Sequence, residues 1–135
     1  MDNNVFVDTN ILLYAYSDTE IERKEIALSL LEQEKVSFST QVINEFIWVM
    51  NRKFSVDIDS LKLISDSIFE MYKVVLIDKS IITAALNTCL KYKFSYWDSL
   101  MIASAIASNC NILYTEDLQH RQVIEDRLTI INPFM

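Results

Sequence analysis

Four acidic residues are the strongest candidates for chemistry in this sequence: Asp8, Glu45, Asp98 and Asp117. Glu45 is the only charged residue between positions 35 and 52, and Asp98 is the only one between positions 94 and 115. A lone carboxylate in a long apolar stretch is costly to bury unless a partner offsets its charge. Because carboxylate oxygens are preferred ligands of hard cations, the four residues predict a site for Mg²⁺ or Mn²⁺.

A divalent cation held by carboxylates supports a particular kind of reaction. It can lower the pKa of a bound water, hold a phosphate oxygen and stabilise a leaving oxygen, which is the chemistry of phosphodiester hydrolysis. The chain has a net charge of −7, so it has no overall attraction for a polyanionic substrate. We therefore expect any activity on a nucleic acid to depend strictly on added metal.

Three of the four acidic residues also have simple structural interpretations. Asp8 could cap the short helix that follows it, and Asp117 could complement the dipole of a following helix. Asp98 could form a capping box with Ser95. Glu45 differs from these three because it lies well inside a predicted helix, where it caps nothing. The position of all four near one edge of one predicted sheet favours a common site.

Short runs of β-branched residues alternate with longer segments of helical periodicity. Strands are predicted at 5–7, 36–38, 74–77, 111–114 and 128–131. Helices are predicted up to residue 16 and then at about 19–32, 40–53, 58–72, 80–92 and 96–109. This order predicts an α/β fold in one domain over residues 1–135, a three-layer α/β/α sandwich with a central, mainly parallel five-stranded sheet. Ligands of such sheets bind beyond the carboxyl ends of the strands.

The composition excludes several common classes of protein. The chain has no glycine, so it cannot contain the glycine-rich phosphate loops of nucleotide-binding enzymes. Its single histidine argues against a zinc site, and Cys89 and Cys110 are expected to be free, buried thiols. The N-terminus does not resemble a signal peptide and no apolar run is long enough to span a membrane, so we expect a cytoplasmic protein.

Four segments resemble, in order, the motifs of a known family. They are VFVDTN at 5–10, STQ at 39–41 with the following Glu45, YWDSL at 96–100, and LYTEDL at 113–118. A tail of IINPF at 130–134 is also similar. Together these segments resemble the PIN-domain ribonucleases, and within that family the VapC-type toxins of bacterial toxin–antitoxin pairs.

The resemblance implies both a function and residue roles. The function is that of a metal-dependent endoribonuclease that hydrolyses RNA phosphodiester bonds, as the toxin of a type II toxin–antitoxin system. Asp8, Glu45 and Asp98 would bind the metal directly, and Asp117 would complete the cluster directly or through water. Two further residues would support this site: Asn10 would orient a carboxylate, and Thr115 would lie at the pocket edge. A homodimer and inhibition by a cognate antitoxin, encoded beside it, are also implied.

Several further residues are candidates for contact with a substrate or partner. Arg52 and Arg121 are possible substrate contacts, the latter where close relatives commonly have a His-Gly turn. Trp48 and Trp97 have rings that could stack on bases. We predict instead that Trp97 packs in the core and that Trp48 contacts an antitoxin or a second copy. His120 is predicted to be an exposed loop residue.

Three other functions fit parts of the pattern. A PIN nuclease that processes RNA without a toxin role would carry the same motifs. A catalytically inactive PIN-like binding module is disfavoured because all four acidic positions are intact. A signalling receiver domain shares the fold class, but it normally has an acidic pair after the first strand and a lysine after the last. Here the first strand is followed by Asp8-Thr9-Asn10.

Overall fold

A computed structural model describes residues 3–135 of this chain, apart from the side chain of residue 33. The fold is built on one mixed sheet. Its strands are β1 (Asn4–Val7), β2 (Lys35–Ser39), β3 (Lys73–Val75), β4 (Ile112–Tyr114), β5 (Val123–Ile124) and β6 (Leu128–Ile131). Their order across the sheet is β3-β2-β1-β4-β6-β5. All neighbouring pairs are parallel except β5 and β6, which form an antiparallel pair at one edge.

The expected α/β fold with a mainly parallel sheet is confirmed, but the predicted number of five strands is wrong. The sixth strand, β5, is two residues long and pairs with β6 through a tight turn. Glu125 and Asp126 in that turn both have positive φ. Two residues are too few to show a strand period, and no glycine marks the turn, so nothing in the local sequence indicated β5.

Within residues 3–135, six helices form the connections from β1 to β2, from β2 to β3 and from β3 to β4. They are α1 (Thr9–Tyr16), α2 (Ile21–Gln33), α3 (Thr40–Arg52), α4 (Ile58–Met71), α5 (Lys79–Tyr92) and α6 (Tyr96–Ala107). Ser39 and Ser95 cap the starts of α3 and α6 through their hydroxyl groups. Asn109 has a φ of 59° just after α6, as predicted for a residue that replaces glycine there. In the described residues, no helix has the length and apolar character needed to cross a membrane.

The helices contact one another in two groups, α1 to α4 and α5 with α6, as expected for layers on the two sides of a sheet. The side chains of Val5, Phe6 and Val7 in β1 are completely buried. This strand lies between β2 and β4, so both of its faces are covered and its residues do not alternate between polar and apolar. Because β1, β2 and β4 are parallel, their carboxyl ends meet at one edge, where the segments with the acidic residues begin.

Candidate active site

A pocket of about 160 Å³ lies at the carboxyl edge of the sheet. Its walls come from the start of α1, the start of α3, the start of α6 and the segment after β4. It is lined by Asp8, Thr9, Asn10, Ser39, Gln41, Val42, Glu45, Trp97, Asp98, Leu100, Met101 and Asp117. The structure therefore brings the four acidic residues together in one pocket, although they are up to 109 positions apart in the chain, from Asp8 to Asp117.

Asp8 is the deepest of the four carboxylates, with only 9% of its surface exposed. It directly follows β1, and its backbone N–H donates to the carbonyl of Tyr114 at 3.1 Å. One carboxylate oxygen accepts a hydrogen bond from the Thr115 hydroxyl at 2.7 Å. Asp8 does occupy the N-cap position of α1, with an extended backbone, but its side chain makes no capping hydrogen bond of ordinary geometry.

The pKa of Asp8 is raised from 3.8 to about 6, chiefly because burial penalises the charged form. The hydrogen bond from Thr115 works against this shift by stabilising the carboxylate, while the negative charge of Asp117 adds to it. At neutral pH the protein therefore holds a buried negative charge at a cost in free energy. A cation in the pocket would offset that cost.

Thr115 links Asp8 to Asp117. Its hydroxyl donates to Asp8 and accepts from the backbone N–H of Asp117 at 3.2 Å. Thr115 is completely buried, so it lies behind the pocket wall and not at the predicted edge. The amide of Asn10 donates to the Asp117 carboxylate at 3.3 Å, which is a contact of the kind expected for an orienting residue. No helix follows Asp117 in the described chain, so the helix-dipole interpretation is wrong.

Glu45 and Asp98 enter the pocket from two helices. Glu45 lies on α3 and accepts a hydrogen bond from Gln41 at 2.9 Å, one helical turn earlier. Its side chain is exposed, although its charge stands alone in an apolar sequence. Asp98 lies in the first turn of α6, where its backbone N–H donates to the Ser95 hydroxyl at 3.1 Å. This is the serine half of the capping box that the sequence offered as an alternative, and the Asp98 carboxylate lies at the pocket.

The pocket fits a hard divalent cation by the chemistry of its donors. Four carboxylates and the amides of Asn10 and Gln41 supply oxygen ligands, which is the set that Mg²⁺ and Mn²⁺ prefer. Within residues 3–135, no three acidic, histidine or cysteine side chains are close enough together to hold an ion as they stand. The carboxylates thus share a pocket without forming a closed ligand shell.

A second cluster, not predicted from the sequence, anchors the segment that carries Asp117. The Glu116 carboxylate accepts a hydrogen bond from the Tyr14 hydroxyl at 2.5 Å and forms an ion pair with Arg23. The Arg23 guanidinium also lies over the ring of Phe134, 4.5 Å from its centre. Glu116 is adjacent to Asp117 in the chain, so the cluster ties α1, α2 and the C-terminal segment to one wall of the pocket.

Replacing Glu116 with Gln should lower the free energy of unfolding by roughly 1–2 kcal/mol, because a charge-assisted hydrogen bond and a partly buried ion pair are both weakened. Urea denaturation followed by circular dichroism measures this difference. Glu125→Gln is the matched control, since Glu125 forms a more exposed pair with Lys91. That pair is open to solvent, so its loss should cost less stability than the loss of the Glu116 contacts. Equal losses in the two variants would contradict an anchoring role for Glu116.

Two of the other candidate contacts, Trp97 and His120, differ from the prediction in their exposure. Trp97 is 62% exposed and lines the pocket, so the prediction that it packs in the core is wrong. Arg52 lies outside the pocket on α3, with its guanidinium 5.2 Å from the centre of the Trp48 ring. Arg121 is exposed in a turn with a φ of 72°, also outside the pocket. His120 is half-buried and accepts a hydrogen bond from the backbone of Asn132, so the prediction of an exposed histidine is wrong.

Comparison with known proteins identifies the fold of this chain. Three similar solved structures are VapC20 of Mycobacterium tuberculosis, a toxin–antitoxin complex from Klebsiella pneumoniae and VapBC-1 of nontypeable Haemophilus influenzae. The first, whose description is a toxin that cleaves the sarcin-ricin loop, has a TM-score of 0.68 at 16% identity, over 84% of this chain and 91% of that chain.

The other two matches extend over nearly all of both chains. The Klebsiella structure has a TM-score of 0.69 at 17% identity, covering 96% of this chain and 97% of that chain. The Haemophilus structure has a TM-score of 0.65 at 20% identity, covering 98% and 99%. No curated protein matches the sequence. Residues 5–125 match the PIN domain family, and the chain belongs to that family.

Proposed function

We propose that this chain is a metal-dependent endoribonuclease that acts as the toxin of a type II toxin–antitoxin pair. The observation that carries the proposal is the shared pocket of Asp8, Glu45, Asp98 and Asp117 in a chain of the PIN domain family. We also propose that residues 1–135 form a single domain, which the one continuous sheet supports. A cytoplasmic location follows from the proposed substrate, because cellular RNA is found there.

In this proposal Asp8, Glu45 and Asp98 hold a divalent cation directly, and Asp117 completes the site directly or through water. A bound Mg²⁺ or Mn²⁺ would supply a Lewis acid and acidify a bound water. Four carboxylates without a cation would repel both one another and a phosphodiester. The raised pKa of Asp8 is one sign of that repulsion, since the charge of Asp117 contributes to it.

The protein's own residues hold this arrangement in place. Thr115 holds the Asp8 carboxylate with its hydroxyl and the Asp117 backbone with its oxygen, so one buried side chain fixes the spacing of two acidic residues. Asn10 fixes the direction of the Asp117 carboxylate. Gln41 restrains Glu45 on the exposed face of α3. In hydrolysis the water oxygen bonds to phosphorus and gives up a proton, the bond from phosphorus to the leaving oxygen breaks, and the leaving oxygen takes up a proton.

The choice of RNA and of a toxin role rests on similar proteins. VapC20 is described as a toxin that cleaves the sarcin-ricin loop, and the other two structures are toxin–antitoxin complexes. By this likeness the partners of our chain are an RNA, a second copy of itself and a cognate antitoxin protein. Arg52 and Arg121 are proposed to contact RNA outside the pocket, where both are exposed.

Cleavage of RNA by the purified protein tests the enzymatic part of the proposal. Protein stripped of metal with EDTA should leave total RNA intact, and addition of Mg²⁺ or Mn²⁺ should restore cleavage, since no other cation source is present. Asp98→Asn serves as the inactive control in the same assay. Cleavage that continues in EDTA would contradict the metal-dependent mechanism.

Expression in a bacterial host tests the toxin role separately. Expression of the chain alone should arrest growth, and co-expression of the neighbouring gene should restore it. Sequencing of RNA ends after a short pulse of expression would identify the cleaved RNA. Cleavage in vitro without growth arrest would instead indicate a PIN nuclease that processes RNA.

A further inference from the structure

Trp97 is placed unusually for a tryptophan. It lines the acidic pocket next to Asp98, and 62% of its surface is exposed. Its ring contacts Tyr96 edge-on, with ring centres 5.3 Å apart, so its environment in the monomer is only partly apolar. Leaving a large aromatic side chain in water gives up most of the stabilisation that its burial would provide. The exposed part of this ring is therefore available to a ligand in the pocket.

A second exposed tryptophan lies on the other helix that carries a pocket carboxylate. Trp48 is 63% exposed and follows Glu45 by three residues on α3, so the two share one face of the helix. The Arg52 guanidinium lies 5.2 Å from the centre of the Trp48 ring. One exposed ring thus lines the acidic pocket, and a second, paired with a positive charge, lies one helical turn from a pocket carboxylate.

The charge of the protein explains why such rings would matter for binding a nucleic acid. With a net charge of −7 and four carboxylates in the pocket, ionic contacts to phosphates can supply little of the affinity. Stacking of a base on an aromatic ring does not depend on net charge and is available with every base. Only an unpaired base has a free face for such a ring, because bases in a duplex are already stacked on each other.

We propose that Trp97 stacks on an unpaired base of the RNA beside the cleaved bond, and that Trp48 with Arg52 contacts the same strand farther out. The inference rests on the proposed ribonuclease function and adds a residue to it, namely Trp97 as the side chain that positions the base beside the cleaved bond. An interface with a second copy of the chain is the competing use of an exposed tryptophan, and the experiment distinguishes the two.

Kinetics of three variants separate stacking from packing. Trp97→Phe keeps a ring, whereas Trp97→Leu keeps apolar bulk without one. For an unpaired oligonucleotide that the wild type cleaves, we expect the Leu variant to raise KM by about 5- to 100-fold with kcat nearly unchanged, since stacking binds substrate and transition state alike. The Phe variant should stay within a few-fold of the wild type. Leu63→Ala, an exposed residue of α4 outside the pocket, is the control.

Fluorescence provides a readout that does not need cleavage. The chain has two tryptophans, so Trp48→Phe leaves Trp97 as the only one. In that background, with Asp8→Asn to prevent cleavage, saturation with an unpaired RNA oligonucleotide in Mg²⁺ should quench the emission of Trp97. The duplex of the same sequence should have little effect. Emission that follows protein concentration and not oligonucleotide concentration would identify Trp97 as a contact between copies and overturn the proposal.

The outcomes separate this inference from the function on which it rests. A wild type that cleaves no RNA contradicts the proposed function. The fluorescence experiment tests the contact between Trp97 and a base whether or not RNA is cleaved. Equal KM values for the wild type and the Leu variant would overturn the stacking proposal and leave the nuclease intact. Equal loss of kcat in the Phe and Leu variants would also overturn it, since the ring would then only support the fold of the pocket.

Discussion

Replacing Asp8 with Asn should lower the rate of metal-dependent RNA cleavage by at least about 100-fold while leaving the protein folded. The lower limit follows because residues that only orient a metal ligand already contribute about 10- to 100-fold, and Asp8 is proposed to be a ligand itself. The fold should persist because Asn keeps the size of the side chain and an oxygen that can accept the hydrogen bond from Thr115. Initial rates on a labelled RNA measure the loss.

Asp66→Asn is the control for this experiment. Asp66 is an exposed carboxylate of α4 that pairs with Lys62, so its replacement removes the same charge away from the pocket. The control should cleave RNA at the wild-type rate, and circular dichroism should show the same helix content in all three proteins. Full activity of the Asp8 variant would contradict the proposal that this pocket is the site of cleavage.

Much of the fold was predictable because its signals are local. Strand β1 contains a buried apolar run and β6 is rich in β-branched residues, while the hydroxyl caps Ser39 and Ser95 mark the starts of two helices in the sequence. The third strand was predicted two residues too far, since Leu76 is apolar but 69% exposed just beyond β3. Strand β5 could not be found because it exists only through its pairing with β6. Register and pairing are tertiary properties that a two-residue segment does not encode.

The membership of the pocket was predictable, but the reason each carboxylate matters was not. Charge isolation along the sequence made Glu45 and Asp98 the most unusual residues, yet Glu45 is an exposed residue of α3 at the pocket. Asp8 is the carboxylate whose burial is costly, although its sequence context allowed a simple capping role. Isolation in sequence does not measure burial, because a helix turns every residue through about 100° and a single charge can occupy its solvent side.

Two features of the site depend on contacts across the fold and were out of reach of the sequence. Glu116 is held by Tyr14 and Arg23, which lie about a hundred positions earlier in the chain. Trp97 looks like a core residue by type, and only the position of α6 beside the pocket exposes it. In both cases the residue type is ordinary and only its neighbours in the fold are unexpected. Periodicity and motif spacing carry no information about such neighbours.

The raised pKa of Asp8 predicts how the stability of the metal-free protein changes with pH. The group has a pKa of about 6 in the folded chain and an ordinary value of 3.8. Protonation is therefore easier in the folded state, and the stabilising contribution is fully present below about pH 3.8. It is lost as the pH rises through about 6, because the folded protein must then hold a buried charge. The change amounts to roughly 1–3 kcal/mol.

Comparison of the wild type with Asp8→Asn isolates this contribution from the other titrating groups. In EDTA the Asn variant should be more stable than the wild type at pH 7 by roughly 1–3 kcal/mol, and the advantage should shrink as the pH falls towards 4. Asp78→Asn is a control of opposite sign, since hydrogen bonds from the backbone of Ile81 and from Ser80 lower the pKa of Asp78. The Asp78 carboxylate stabilises the folded state above pH 3.8 and loses that effect as the pH falls through its lowered pKa.

Denaturation of the three proteins at several pH values measures how the free energy of unfolding changes with pH for the Asp8 and Asp78 carboxylates. Addition of Mg²⁺ should reduce the difference between the wild type and the Asp8 variant, because a bound cation favours the charged carboxylate. If the difference in unfolding free energy between the wild type and the Asp8 variant stays constant between pH 4 and 8, burial of the charged Asp8 carboxylate does not destabilise the fold. The expected result ties the two properties together: the carboxylate that destabilises the metal-free fold at neutral pH is the one that the reaction requires.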